Sequence, residues 1–80
     1  MIVTVEISYY PLAENFNAPI SEFIDRLTEN GKIKVEFGKM SSSITGEYQE
    51  VMKTLNESME MMMETNPSVF NIKISNSCPV

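Results

Sequence analysis

Glu6, Ser8 and Tyr10 occupy every second position near the start of the chain, and Lys34 with Glu36, then Lys73 with Ser75, repeat that spacing further on. A spacing of two places such residues on one side of an extended strand. A strip bearing both signs of charge, small hydroxyls and a tyrosine can hydrogen-bond, stack and pair ions. It suits a polar small molecule or a second polar sheet. It does not suit nucleophilic catalysis, because the chain has no histidine and its one cysteine, Cys78, has no base partner in view. No CxxC, HExxH or calcium-loop spacing occurs, and the three glycines are scattered rather than gathered into a phosphate loop. The expectation is a non-enzymatic protein without a metal or resident cofactor.

Eighty residues are enough for one domain, taken as 1–80. Such a chain hides only about 60–65% of its extended surface, so self-association would add useful burial. Eleven acids against six bases give a net charge of −5. That balance repels nucleic acid at long range, and no basic stripe reverses it locally. A cationic small molecule would be attracted. One cysteine excludes an internal disulfide, and no apolar run approaches membrane-spanning length. With no export-signal pattern at the start, the expected location is the cytoplasm.

The elements that must position the polar strip follow from periodicity. Ile2–Tyr10 alternates as a strand, with Val3, Val5, Ile7 and Tyr9 on the apolar side, and Pro11 ends it. Asn17 is placed as an N-cap with Pro19 in the first turn; Ile20, Phe23, Ile24 and Leu27 then mark a helix face. Asn30–Gly31 is expected to stop this helix, with glycine in the left-handed position. Ile33, Val35 and Phe37 give a second strand, and a short third is centred on Ile44 within Ser42–Thr45. Gly46 is expected to break that strand, and Glu47 to enter the first turn of a second helix running to about Glu64. Its stripe is Tyr48, Val51, Met52, Leu55, Met59, Met62 and Met63, while Met61 lies off it as a soft contact point. Val69–Asn76 closes the chain's pattern, with Phe70, Ile72 and Ile74 on its apolar side.

Strand, helix, strand, strand, helix, strand with right-handed crossovers predicts an α+β, ferredoxin-like βαββαβ sandwich. It has a four-stranded antiparallel sheet in the order 4-1-3-2 and two helices on one face. The other face stays uncovered. An RNA-recognition domain shares this element order but needs exposed aromatics on both central strands and a basic surround. Here Glu6 and Glu36 would face the phosphates.

Four segments in register also carry a family resemblance: Val5–Leu12, Glu36–Met40, Thr45–Gly46–Glu47 and Ile74–Cys78. Together they resemble the thiamine-binding YkoF-like family (the MTH1187-like or DUF77 group) over essentially the whole chain. The resemblance implies a cytoplasmic ferredoxin-like domain assembled as a homodimer or homotetramer through its sheets. For some members it implies binding of thiamine or its hydroxymethylpyrimidine part. The matching positions are Ser8, Tyr10 and Pro11; Gly38 and Met40; Gly46 and Glu47; and Ser75, Asn76 and Cys78. Ser41–Ser42–Ser43 departs from the pattern, where a glycine and then threonine–valine are more familiar.

Thiamine joins a cationic thiazolium to an aminopyrimidine, so its pocket wants a carboxylate, an aromatic or methionine wall, and hydroxyl or amide partners. The candidate ligand-binding set is therefore Glu6, Ser8, Tyr10, Met40, Ser43, Glu47 and Asn76. The alternative expectation is a homo-oligomeric structural or regulatory protein with no small-molecule ligand.

Overall fold

A computed structural model describes residues 1–12, 14–15 and 17–77. Four strands and two helices alternate as β1 (Ile2–Pro11), α1 (Asn17–Thr28), β2 (Lys34–Phe37), β3 (Ser42–Glu47), α2 (Tyr48–Thr65) and β4 (Ser68–Ser75). All strand pairs are antiparallel, and the sheet order is β2-β3-β1-β4. This is the ferredoxin-like topology: the first crossover places β2 one strand away from β1, β3 fills the gap between them, and the second crossover returns β4 to the other side of β1.

The core forms where the apolar side of the sheet meets the helices. Val3, Val5 and Ile7 of β1 and Ile44 of β3 are sealed against Phe23 and Leu27 of α1 and Val51, Leu55 and Met62 of α2. Tyr9 extends this layer as an aromatic cluster, stacked on Phe70 at 4.6 Å and tilted against Phe23 at 5.0 Å. Its hydroxyl meets Ser68 Oγ at 3.3 Å, so the ring is fixed at both ends.

Several local expectations are corrected. α1 stops at Thr28, whose hydroxyl donates back to the Ile24 and Asp25 carbonyls. Asn30 then turns the chain by accepting the Lys32 N–H on Oδ1 at 2.9 Å. Gly31 takes no left-handed position, since no described glycine has positive φ. At the other end, Asn15 rather than Asn17 supplies a side-chain acceptor, receiving the Asn17 N–H at 3.1 Å.

Gly46 does not break β3, which continues through it to Glu47. Its lack of a side chain serves packing, because a Cβ there would lie 3.0 Å from Ile33 Cγ2. Glu47 consequently occupies the N-cap position of α2 rather than its first turn, and its side chain makes no cap hydrogen bond. Met63 turns outward at 55% exposure, and Thr54 and Ser58 take buried places on α2 instead. Ile72 and Ile74 face the helix side of the sheet but remain 42% and 49% exposed. The final strand ends at Ser75, one residue before Asn76, and Cys78 lies outside the described residues.

Candidate functional site

Strand register places the polar strip on the uncovered face. Glu6 pairs across to Ser43 on one side and Lys73 on the other, and Thr4 to Thr45 and Ser75. Ser8 stands opposite Asn71, and Tyr10 opposite Val69. Lys34 and Glu36 join the same face from β2, linked to each other at 2.9 Å. Thr4 and Thr45 hydroxyls meet at 3.2 Å, and the Lys73 ammonium stands 3.9 Å from Glu6. These pairs are solvent-exposed and bind the face together only weakly. Glu6 is thus held loosely and keeps acceptor capacity for an added cation.

The candidate residues separate into two groups. Glu6, Ser8, Tyr10, Ser43 and Met40 gather toward one end of β1, with Ser8 Oγ donating to the Met40 carbonyl at 3.3 Å. Glu47 lies at the other end, opposite Ile2, where its carboxylate takes the N-terminal ammonium at 2.7 Å. Asn76 is there too, with Nδ2 at 3.9 Å from Met1 Sδ. Ile2 and Tyr10 are eight strand residues apart, roughly 26 Å at ~3.3 Å per residue. Glu6 and Ser43 stand between these extremes, four strand residues from Glu47, roughly 13 Å at the same rise.

The Met40 end has the shape of a site. β3 leaves β1 after the Ile7–Ser42 pair, while β1 continues to Pro11 beside β4 alone. The turn from β2 to β3, closed by the Gly38 N–H on the Ser41 carbonyl at 2.8 Å, folds over that gap. Beneath it, on the helix side, opens a slot of about 130 Å³ walled by Tyr9, Phe23 and Phe37, with Met40, Ser42 and Lys39 at its turn. Phe37, which lines this slot, is half exposed. Drug-sized ligands occupy roughly 300–1,000 Å³, so this slot fits a single ring rather than a whole molecule. Its aromatic walls suit a flat ring, and Lys39 among the lining residues weighs against a cation.

Phe37, Phe23, Tyr9 and Ser42 were not among the residues proposed from sequence. The available signal was a phenylalanine ending a strand immediately before a glycine turn, which reads equally well as core. Among the described residues, no group of three or more His, Cys, Asp or Glu could hold a metal ion. No described helix is long and apolar enough to cross a membrane.

Comparison with known proteins fits this architecture. The model of the YKOF-related family matches residues 2–80. A Streptococcus pneumoniae protein superposes with a TM-score of 0.88 at 21% identity, covering 98% of this chain and 89% of its own. A proposed thiamine biosynthesis/salvage protein from Thermotoga maritima gives 0.85 at 24% identity, covering 96% and 85%. A domain of unknown function, DUF77, from Bacillus cereus gives 0.83 at 20% identity, covering 100% and 82%. No curated protein matches the sequence. At these identities the structures establish the shared fold.

Proposed function

The chain belongs to the YKOF-related family, and from that premise we propose that it binds thiamine or a related hydroxymethylpyrimidine compound without converting it, serving salvage or transport in the cytoplasm. The observation that carries this reading is the ring-sized slot beneath the β2–β3 turn, walled by Tyr9, Phe23 and Phe37. A pyrimidine is neutral, flat and hydrogen-bonding, which matches aromatic walls with Ser42 and Ser41 at the rim. The cationic part of thiamine would then project past the open edge of β1 toward Ser8 and the loosely paired Glu6. Tyr10 and Met40 flank that path, and Ser43 stands opposite Glu6. Glu47 and Asn76 lie toward the opposite end of β1 from this path. The likeness to the Thermotoga maritima protein adds support from outside the chain.

Isothermal titration with thiamine, and separately with hydroxymethylpyrimidine, tests this directly. Saturable heat with both, accompanied by amide shifts at residues 37–42, is the expected result. Absence of heat and of shifts at high protein concentration removes the assignment.

A second reading rests on a different observation. The edge strand β4 leaves Val69 on the uncovered polar face, and Ile72 and Ile74 on the helix side, between 42% and 49% exposed. These surfaces suit self-association as a homodimer or homotetramer through the sheet, with or without a ligand. Sedimentation at rising micromolar concentration should show a discrete assembly, and a constant monomer mass refutes this reading.

A further inference from the structure

A groove of about 370 Å³ runs between the C-terminal end of α1 and one flank of α2, on the helix layer and away from the slot. Its floor is polar where a plain helix–helix seam would be apolar. Thr54 and Ser58 lie there at 7% and 3% exposure. Thr54 Oγ1 accepts from Asn30 Nδ2 at 3.0 Å, and the same amide nitrogen donates to Glu50 Oε1 at 3.1 Å. The Ser58 hydroxyl is different: it has no hydrogen-bond partner among the described residues, yet it is not sealed from solvent. More than nine-tenths buried, this side chain keeps its remaining opening at the groove. Open to the groove, this hydroxyl is left for water to satisfy, and a ligand group seated there can take the water's place.

The charges around this floor are unusual for the chain. Three of the six basic residues, Arg26, Lys32 and Lys53, line the groove, matched by Glu29, Glu50 and Glu57. The groove is therefore neutral in a molecule of net charge −5. Arg26 is engaged by Glu29 at 3.5 Å, and Glu50 by Asn30. Lys32, Lys53 and Glu57 make no ion pair among the described residues, although Lys53 and Glu57 stand four apart on one helix. Free ammonium groups, a free carboxylate and an open hydroxyl around one cavity are complementary to a molecule carrying both charges. Met61 supplies an apolar wall beside them.

We propose that this groove is a second binding site, independent of the slot, for a small zwitterion of the α-amino-acid class with an apolar side chain. The ligand carboxylate meets Lys53 and Lys32, its ammonium meets Glu57, Ser58 supplies a hydrogen bond, and the side chain lies on Met61. At about 370 Å³ the volume falls within the range of small-molecule pockets. A thiazolium cation gains less here than beside Glu6, because the unpaired cations would repel it.

L-leucine is the probe, titrated against the 15N-labelled protein, with leucinamide and 4-methylpentanoate as analogues lacking one charge each. Saturable shifts should cluster at Asn30, Thr54 and Ser58 and leave residues 37–42 unmoved. Each analogue should bind at least tenfold more weakly than L-leucine, as should L-leucine to Lys53→Gln. Ser58→Ala should weaken binding while leaving Tm unchanged or higher, since its hydroxyl makes no hydrogen bond among the described residues. The proposal is overturned by an absence of saturable shifts with L-leucine, by equal binding of the three probes, or by a Ser58→Ala variant that melts lower. Loss of thiamine binding at the slot would not alter any of these outcomes.

Discussion

Replacing Gly46 by alanine tests why a glycine sits inside a core strand. The new methyl carbon would lie 3.0 Å from Ile33 Cγ2 and 3.4 Å from its Cα and Cβ. Comfortable carbon–carbon contact is about 3.5–4.0 Å, so something must shift by roughly 0.5 Å or more. Ile33 is only 9% exposed and lies directly over the strand, which leaves it little freedom to retreat. Overpacking of this kind costs about 1–3 kcal/mol, offset by the ~0.5–1 kcal/mol that alanine gains over glycine in a strand. The expected net loss is about 0–2.5 kcal/mol, or up to roughly 20 °C in Tm for a domain of this size. A double-mutant cycle with Ile33→Leu isolates the cause. Leucine moves the branch one carbon outward and removes the clashing methyl at a cost below about 1.5 kcal/mol. In that background Gly46→Ala should be neutral or stabilising. Equal losses in both backgrounds, measured by urea denaturation, would refute the close-approach explanation.

Four further outcomes follow from the structure. Phe37→Ala removes a half-exposed wall, so stability should fall by about 1 kcal/mol while hydroxymethylpyrimidine affinity drops tenfold or more, at least ~1.4 kcal/mol by titration calorimetry. Glu47→Gln breaks the exposed pair with the N-terminal ammonium, lowering stability by less than about 1 kcal/mol; thiamine affinity should be unchanged, and a tenfold loss would return Glu47 to the pocket. Met62→Ala should cost about 2–5 kcal/mol in denaturant titration and Met63→Ala less than about 0.5, because the first is sealed in the core and the second faces water. Ile72→Lys should leave the monomer folded and shift sedimentation toward lower mass, whereas an unchanged profile would detach β4 from any assembly.

The sheet was legible because its information is local. Val3, Val5 and Ile7 alternate without interruption, and a period of two admits only one assignment of faces. The same alternation correctly put Glu6, Ser8 and Tyr10 on the uncovered face. What periodicity could not supply was extent. Ile72 and Ile74 alternate as well as Val5 and Ile7 do, but they sit on an outer strand that the helices leave exposed. Glycine was misread for a related reason: Gly46 answers to Ile33, a neighbour across the fold that no local pattern reveals. Thr54 and Ser58 look like ordinary polar helix positions until α1 is packed beside them. The candidate site was assembled by chemical type, and type ignores distance. Glu47 and Tyr10 suit one ligand chemically but stand at opposite ends of β1, one opposite Ile2 and the other beyond the reach of β3.

The exposed residues of β4 also bound how strongly copies of this chain can associate. Fully burying a valine or isoleucine side chain contributes about 1.5–3 kcal/mol, so finishing the half-done burial of Val69, Ile72 and Ile74 adds roughly 1 kcal/mol each. Association must first overcome about 4 kcal/mol or more of lost translational and rotational freedom. β4 alone therefore cannot hold a tight dimer. Main-chain pairing along its open edge, or contact across the polar face, has to supply the rest. That face already satisfies part of its charge internally through Lys34–Glu36 and Lys73–Glu6. A partner sheet laid on it must keep those pairs or replace them, since burying one partner without the other is strongly unfavourable. Any assembly through the face is accordingly constrained to a register that matches charge with charge, and the loosely held Glu6 is the position where a ligand cation could contribute to that match.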